Sequence, residues 1–145
     1  MVQTKQLFFE DVAEGTKIPP SENKVRLIEM LRYGAATWSF FLLHLEKEYA
    51  QKQGFRDANI QGPMYGALCA KMLSNWIGVD GRLKKLGYNV RVMGFPGDTL
   101  TCKGKVVRKY ADGGANLADC ELWVENQNAE KVATGTATVA LPSRS

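Results

Sequence analysis

The sequence predicts an α+β domain in which a curved antiparallel sheet wraps around one long helix. A single long apolar stretch at helical spacing covers residues 64–77, and after Gly81 the apolar residues change to the alternation of β-strands. The turns between the later strands are short, which favours antiparallel pairing because parallel pairing needs long crossovers. A helix covers only one face of such a sheet, and a sheet curved around it is the simplest arrangement.

The sequence signals for the first two elements of the chain are weaker. Residues 8–12 are predicted to form a short extended segment, which Gly15 closes and the pair Pro19-Pro20 stops. From residue 25 to about residue 38, apolar side chains recur at helical spacing. We therefore expect an amphipathic helix ahead of the long apolar one.

Two further helices complete the helical half. A short helix is predicted across residues 47–53, and Gly54 suits its C-terminal cap. The long apolar helix across residues 64–77 has Pro63 near its start and Gly78 just beyond its end. This asymmetry is typical of helix termini.

Four strands with alternating apolar residues are predicted after the long helix. Turn-forming residues such as Pro96-Gly97-Asp98 and Gly113-Gly114 separate them, so the strands are expected to form an antiparallel meander. The open edges of such a sheet are protected when subunits pair, and we expect a homodimer or a higher homo-oligomer. The predicted strands cover residues 86–93, 100–107, 118–124 and 132–141.

The composition is that of one globular domain over residues 1–145. Hydrophobic residues make up 45% of the chain and charged residues 23%, which excludes a disordered protein. The net charge of +4 comes from lysines and arginines that are scattered along the chain. A nucleic-acid-binding protein would show a denser basic stripe with stacking aromatics, so we expect no nucleic-acid partner. A small anionic ligand agrees better with this charge pattern.

The three cysteines have no spacing typical of a zinc or redox motif, and an odd number cannot form a closed set of disulfides. We therefore expect no metal site. Cys69 lies on the long apolar helix, where we expect it to be a small buried hydrophobic residue. With no signal peptide and no apolar run long enough to cross a bilayer, we expect a cytoplasmic protein without a membrane partner.

His44 is the single histidine of the chain, and it lies between two features that suit a catalytic site. Ser39 precedes it by five residues, and Gly62 follows in the turn that leads into the long helix. Histidine exchanges protons near neutral pH, a serine hydroxyl can hold a water molecule, and N–H groups at a helix start favour negative charge. The order therefore supplies a candidate acid/base, water holder and oxyanion donor.

A series of short motifs runs along nearly the whole chain. They are Leu7-Phe-Phe-Glu-Asp-Val-Ala-Glu-Gly15, Pro19-Pro20, Ala35-Ala-Thr-Trp38, His44, Lys47-Glu-Tyr-Ala50, Gly54-Phe55, Gln61-Gly-Pro63, Asp80-Gly-Arg-Leu83, Phe95-Pro-Gly-Asp-Thr-Leu100, Leu122-Trp-Val-Glu-Asn126 and Ala137-Thr-Val-Ala-Leu-Pro142. Together and in this order they resemble the MaoC-like acyl dehydratases, a group with the hot-dog fold that includes the (R)-specific enoyl-CoA hydratases.

The resemblance implies a hot-dog fold and a hydro-lyase that acts on an enoyl or 3-hydroxyacyl thioester. In these enzymes an aspartate and a histidine five residues apart position the water and move its protons. A backbone N–H at the start of the central helix stabilises the thioester oxygen. Carried over, the histidine is His44, the helix-start glycine is Gly62, and the aspartate position holds Ser39. The CoA thioester is the substrate, and no cofactor is implied.

Ser39 is the main departure from that pattern, because a serine hydroxyl does not take up protons as a carboxylate does. Loss of a positioned general base lowers rates by about 10²–10⁴. His44 could carry the proton transfer alone, or Glu46 or Glu48 could substitute for the aspartate. Ser39 could also be a polar residue at a helix end that bonds to local backbone.

Several neighbours of these residues are predicted to bind the substrate. Phe41 and Leu42 would make a dry apolar pocket, and Arg91 could hold a CoA phosphate. Other interpretations stay open, since Met64 and Tyr65 also suit a buried core and Arg91 suits a solvated strand face. The predicted substrate-binding residues are Phe41, Leu42, Gln61, Met64, Tyr65 and Arg91.

Two other functions stay open at this point. The same fold could isomerise, eliminate from or cyclise an apolar substrate in a biosynthetic pathway, which the absence of the aspartate favours. Alternatively, the chain could bind acyl-CoA without catalysis, or be the inactive partner of an active relative. A hot-dog thioesterase agrees less well, because such enzymes usually place a carboxylate on the central helix and residues 64–77 contain none.

Overall fold

The computed structural model describes residues 5–144, and it confirms the predicted α+β class with one long helix. In this part of the chain, no helix is long and apolar enough to cross a membrane. The elements are a 3₁₀ helix at Phe9–Asp11, β1 at Lys17–Lys24, α1 at Leu27–Thr37, a 3₁₀ helix at Leu42–His44, α2 at Lys47–Lys52, α3 at Gly62–Ile77, β2 at Arg82–Val90, β3 at Thr99–Asp112, β4 at Ala115–Glu125 and β5 at Lys131–Ala140.

The strands form one antiparallel sheet in the order β1-β3-β4-β5-β2. The prediction that all four later strands form a meander is wrong, because β2 pairs with β5 and lies at an edge. The link between β2 and β3 is too long for a tight hairpin, and it crosses from the edge strand β2 past β5 and β4 to the inner strand β3. Its Gly94 carbonyl accepts the Ile60 N–H at 2.9 Å, and its Gly97 N–H donates to the Val25 carbonyl at 2.7 Å. The crossing thus brings the link against the segments that lead into α1 and α3.

The first part of the chain corrects two predictions. The expected extended segment at residues 8–12 contains the 3₁₀ helix instead, and Pro19 and Pro20 lie within β1 rather than ending extended structure. β1 is the other edge strand, and its pairing with β3 shifts register between Ile18 and Ser21. The prolines fall at this irregularity, where the ladder does not need their missing N–H groups.

The helix α3 packs on one face of the sheet. Its residues Met72 and Leu73 belong to the same buried cluster as Leu100 and Val106 of β3. Full burial of an apolar side chain of this size contributes about 1.5–3 kcal/mol. Cys69 is buried in this cluster too, as predicted. The sheet therefore determines where the start of α3 lies.

One glycine lets the edge strand approach α3 closely. A Cβ at Gly66 would collide with the ring of Tyr88 on β2, so the ring packs directly on the helix backbone. Gly135 of β5 lies opposite Tyr88 in the strand register and leaves room beside it. The two glycines accommodate one aromatic side chain between the helix and the sheet.

The first turn of α3 begins earlier than predicted. Gly62 and Pro63 occupy its first positions, ahead of the apolar repeat at residue 64. The N–H groups of a first helical turn have no partner within the helix, so a proline there loses nothing. Gly62 is therefore part of the helix start rather than of the preceding turn.

Candidate active site

The imidazole of His44 is held by a backbone carbonyl. His44 ends the second 3₁₀ helix, and its Nδ1 lies 2.8 Å from the carbonyl oxygen of Asn59. A carbonyl oxygen only accepts hydrogen bonds, so Nδ1 carries the proton of this bond. In the neutral ring Nε2 then keeps its lone pair. This partly buried histidine thus has one anchored nitrogen and one nitrogen that can accept a proton.

The residues just before α3 are anchored from two sides. The Asn59 N–H donates to the Leu43 carbonyl at 3.1 Å, and the Ile60 N–H donates to the Gly94 carbonyl at 2.9 Å. Asn59 therefore bonds with both its N–H and its carbonyl to the segment that contains His44. The histidine and the start of α3 are positioned by one short stretch of main chain.

Gly62 opens α3 three residues after Asn59. Its φ is not positive, and a Cβ built on it would meet nothing within 4 Å. Neither backbone strain nor a close neighbour therefore requires glycine at this position. The N–H groups of a first helical turn lack intrahelical partners and lie at the positive end of the helix dipole. The open space at Gly62 suits a small anionic or polarised oxygen.

Ser39 lies where α1 ends and the chain turns towards His44. Trp38 ends the helix in the left-handed conformation with φ 58°, and the Ser39 N–H donates to the Gly34 carbonyl at 2.8 Å. The local bond of Ser39 is thus made by its backbone. A Cβ at Gly34 would lie 2.8 Å from the Ser39 carbonyl oxygen, 3.6 Å from Gln61 Nε2 and 3.6 Å from Leu45 Cδ2. Glycine at position 34 therefore lets these three groups converge.

No protein-family profile matches the sequence, and no curated protein matches it either. Several solved structures, in contrast, are similar to this chain. The (R)-hydratase PhaJ1 from Pseudomonas aeruginosa superposes with a TM-score of 0.87 at 18% identity, over 96% of this chain and 88% of that one. The (R)-hydratase from A. caviae involved in PHA biosynthesis gives a TM-score of 0.83 at 21% identity, over 92% of this chain and 99% of that one. The MaoC-like dehydratase from Rhodospirillum rubrum gives a TM-score of 0.81 at 20% identity, over 96% of this chain and 99% of that one.

The chain has the hot-dog fold of the MaoC-like dehydratases. The fold that the sequence motifs implied is confirmed. A hot-dog fold can carry more than one chemistry, so the activity has to be argued from the residues of the site.

The apolar residues around His44 lie on the surface of the hot-dog domain. Phe41 packs edge-on against the imidazole, with ring centroids 5.7 Å apart. Phe41 is nevertheless 55% exposed, and Leu42, two residues before His44, is 45% exposed. Within a single subunit these side chains form an open apolar surface rather than the dry pocket that the sequence suggested.

The remaining predicted residues lie at different depths. Met64 and Tyr65 are buried in the core of the hot-dog domain, directly below the helix start. Burial raises the pKa of the Tyr65 hydroxyl to about 12. Arg91 is exposed at the beginning of the link that reaches Ile60 through Gly94.

The two glutamates that could replace the missing aspartate are exposed around the start of α2. Glu46 precedes the helix and Glu48 lies in its first turn. Within residues 5–144, no three histidine, cysteine, aspartate or glutamate side chains cluster to hold a metal ion.

Asn59 is a site residue that the sequence analysis missed. Its side chain is 2% exposed, its carbonyl anchors His44, and its Nδ2 has no hydrogen-bond partner. Gln61, which was predicted, is equally buried, and its Oε1 also lacks a partner. Two amide residues in an otherwise apolar stretch before the helix were the available signal. A polar side chain at a position that folds into the core usually has a partner or a function.

Proposed function

We propose that this chain adds water across the double bond of a trans-2-enoyl thioester and, in reverse, removes it from the 3-hydroxyacyl thioester. One observation carries the proposal. The 2.8 Å bond from His44 Nδ1 to the Asn59 carbonyl leaves Nε2 as the free nitrogen of the ring. The segment that makes this bond leads directly into α3 at Gly62. The reaction needs both an acid/base and a donor for the thioester oxygen, and this segment links the two.

The proposed mechanism uses His44 for both proton transfers. Its Nε2 takes a proton from water while the water oxygen bonds to C3 of the enoyl group. The electrons of the double bond move towards the thioester, whose oxygen becomes negatively charged. The Gly62 N–H donates to that oxygen at the positive end of α3. The imidazolium then returns a proton to C2, which completes the 3-hydroxyacyl thioester and restores the neutral ring.

In this mechanism Ser39 holds the water and does not deprotonate it. A hydroxyl group can both accept and donate a hydrogen bond, which is enough to orient a water molecule. A hydratase that uses one base in place of two groups is expected to be slower by about 10²–10⁴. Slow but measurable hydration is therefore the expected behaviour.

The substrate is an acyl-CoA or a similar thioester in this proposal. The exposed Phe41 and Leu42 contact its acyl chain, and Met64 and Tyr65 support the helix start from below. Arg91 pairs with a phosphate of the carrier. The same proposal applies whether CoA or a carrier protein delivers the thioester.

We also propose that the subunits pair. The edge strands β1 and β2 leave backbone groups open, and pairing is a common way to protect such edges. A partner subunit would also cover the exposed Phe41 and Leu42 and make the site less open to water. Light scattering on the purified protein is expected to give at least a dimer mass, and a monomer mass would contradict the pairing.

An ultraviolet assay tests the proposed reaction. Hydration removes the conjugated enoyl thioester, so its absorbance is expected to fall when the protein is mixed with crotonyl-CoA or a longer enoyl-CoA. His44→Ala is expected to lower kcat/KM by about 10²–10⁴. Circular dichroism of the variant checks that the fold is retained. A rate that does not depend on His44, or no rate with short, medium and aromatic enoyl-CoAs, would contradict the proposal.

A second candidate function is supported by the exposed apolar residues around His44. With Ser39 in place of a carboxylate and Phe41 against the imidazole, the site could isomerise, eliminate from or cyclise an apolar substrate. His44 would again be the acid/base. Absence of hydration together with a His44-dependent change in an apolar substrate would favour this function. Binding of acyl-CoA esters without any conversion would instead indicate a non-catalytic binding subunit.

A further inference from the structure

Two buried side-chain amides in the segment that anchors His44 have unused hydrogen-bonding atoms. Asn59 and Gln61 are each only 2% exposed, yet Asn59 Nδ2 and Gln61 Oε1 have no partner. Burial of a polar atom without a partner is unfavourable, so most native structures avoid it. Two such atoms on residues that flank a single position point to a ligand that supplies the missing bonds.

The backbone places both amides on one side of the segment. The Asn59 N–H bonds to Leu43, whereas the Ile60 N–H bonds to Gly94 on the opposite side. This alternation is typical of extended chain, in which side chains two residues apart project in the same direction. The Ile60 side chain faces Gly94, where an added Cβ would lie 2.9 Å from its Cδ1. Alternation along extended chain then places the side chains of Asn59 and Gln61 on the opposite face of the segment.

The Gln61 amide is fixed in a niche beside the proposed catalytic residues. Its Nε2 donates to the Met30 carbonyl of α1 at 3.0 Å, which leaves Oε1 as the free atom. The niche is formed where Gly34, the Ser39 carbonyl and Leu45 come together around that amide. Leu45 directly follows His44, and Ser39 is the position at which a carboxylate would be expected. The side-chain amide that carries the free acceptor thus lies beside both segments that the proposed reaction uses.

The two unused atoms are complementary in kind. Asn59 Nδ2 is a donor and Gln61 Oε1 is an acceptor, and a water molecule or an alcohol can satisfy both at once. A hydrocarbon can satisfy neither, and a carbonyl can satisfy only the donor. Both amides are neutral, so they orient an oxygen without taking its proton. They can therefore add to what the Ser39 hydroxyl does, and they leave the proton transfer to His44.

We infer that Asn59 and Gln61 bind the oxygen that the reaction adds or removes, namely the water and the 3-hydroxyl group of the acyl chain. The inference rests on the proposed hydration of a thioester. It makes the two amides positioning residues that determine specificity for a 3-hydroxyacyl group over a saturated one. Ser39 then shares the orientation of the oxygen with two side chains from the segment that leads into α3.

Binding of matched thioether analogues tests this inference without turnover. S-(3-hydroxybutyl)-CoA and S-butyl-CoA differ only in the hydroxyl, and neither has the thioester carbonyl that would let it react. A second pair, S-(3-hydroxyoctyl)-CoA and S-octyl-CoA, tests a longer chain in the same way. By calorimetry, the intact protein is expected to bind the hydroxyl analogue about fivefold to tenfold more tightly, as one or two neutral hydrogen bonds allow. In Gln61→Met and in Asn59→Leu the preference is expected to fall below about twofold.

The controls separate this role from a structural one. Gln53→Met makes the same side-chain change at an exposed position and is expected to keep the full preference. If the amides only hold the fold together, Gln61→Met will lower the melting temperature and leave the preference unchanged, which overturns the inference. If Gln61→Met does not fold, the preference for the hydroxyl analogue is compared between Asn59→Leu and the wild-type protein, and that comparison still tests the inference.

The outcomes also separate the inference from the proposed function. Equal affinity of the wild-type protein for the two analogues overturns the inference alone, because hydration is measured independently. Failure to bind either analogue of either length, together with no hydration, overturns both. A preference that is lost in the two amide variants and kept in Gln53→Met supports both.

Discussion

The His44 imidazole is bound to the main chain of Asn59, a residue fifteen positions later, through a 2.8 Å hydrogen bond from Nδ1. Because the acceptor is a backbone carbonyl, no side-chain replacement at position 59 removes it. The orientation of the ring is therefore a property of the fold, because the hydrogen bond at one ring nitrogen fixes both the ring and its tautomer. The same segment enters α3 at Gly62, so any shift of the helix start also moves the ring.

Restoring the carboxylate should increase hydration. Ser39→Asp places an acceptor of protons five residues before His44, and the backbone bond from position 39 to Gly34 is unaffected by the change. We expect the rate of enoyl-CoA hydration to rise at least about tenfold, since a positioned general base contributes about 10²–10⁴. Ser39→Asn is the control of matched size and should give no increase. A folded Ser39→Asp variant without any gain would show that the site no longer places water for this reaction.

Gly62→Ala should impair activity without harming the fold. The added Cβ meets no protein atom within 4 Å, and alanine restricts the unfolded chain by about 0.4–1 kcal/mol relative to glycine. We expect an unchanged or higher melting temperature and a fall in kcat/KM of about tenfold or more, because the methyl group occupies the space proposed for the thioester oxygen. Unchanged kinetics would place the thioester elsewhere.

Gly66→Ala, four residues later on the same helix, should lower the stability of the fold. Its Cβ would collide with the ring of Tyr88, so the helix or the ring has to move. We expect a loss of about 1–3 kcal/mol in the free energy of unfolding, measured in urea. In a protein that already carries Tyr88→Ala, the ring is gone, so Gly66→Ala should cost less stability than it does in the wild-type protein. Additive effects of the two substitutions would mean that the helix and the ring do not contact each other.

Stability should decrease in alkaline solution because buried groups resist ionisation. Burial raises the pKa of Tyr65 and that of Cys120 to about 12 each. In the unfolded chain these groups ionise near pH 10 and pH 8.5, respectively. Above those values the unfolded state binds fewer protons than the folded state, so the free energy of unfolding falls as the pH rises towards about 12. The stability is fully present below the unfolded pKa values.

Urea denaturation at pH 8 and pH 11 measures this effect. Tyr65→Phe removes the hydroxyl, so the variant should lose less stability between the two pH values than the wild-type protein does. Cys120 still contributes in the variant, and the loss should therefore be reduced rather than abolished. An equal loss in both proteins would mean that the Tyr65 hydroxyl is solvated in the folded state.

Much of the hot-dog fold was predictable because burial is periodic along the chain. The apolar repeat before Gly78 identified α3, and alternating residues identified β3, β4 and β5. β1 was missed because two prolines are ordinarily read as a stop, and only an edge position with a register shift accommodates them. The partner of β2 was predicted wrongly, because alternation shows that a strand has a buried face but does not name its neighbour.

The candidate site was predictable to a smaller extent. His44, Ser39 and Gly62 were identified from their types and order, and the resemblance assigned their roles. Asn59 was missed, because its part in anchoring the imidazole is played by a main-chain carbonyl, which every residue possesses. The expected enclosed pocket was also not found in one subunit, where Phe41 is largely exposed. Patterns in a sequence report which residues prefer burial, and they do not report which surfaces finally meet.

The sequence by itself determined the chemical inventory: one imidazole, a hydroxyl where a carboxylate would be expected, a glycine before the long helix, and the periodicities of the helix and four strands. Only the tertiary structure decided which imidazole nitrogen is free, which strand lies beside β2, and that Asn59 and Gln61 are buried with unused polar atoms. The physical reason is one of range. Periodicity arises from local geometry within one element, whereas a hydrogen bond between distant segments exists only after the elements have packed.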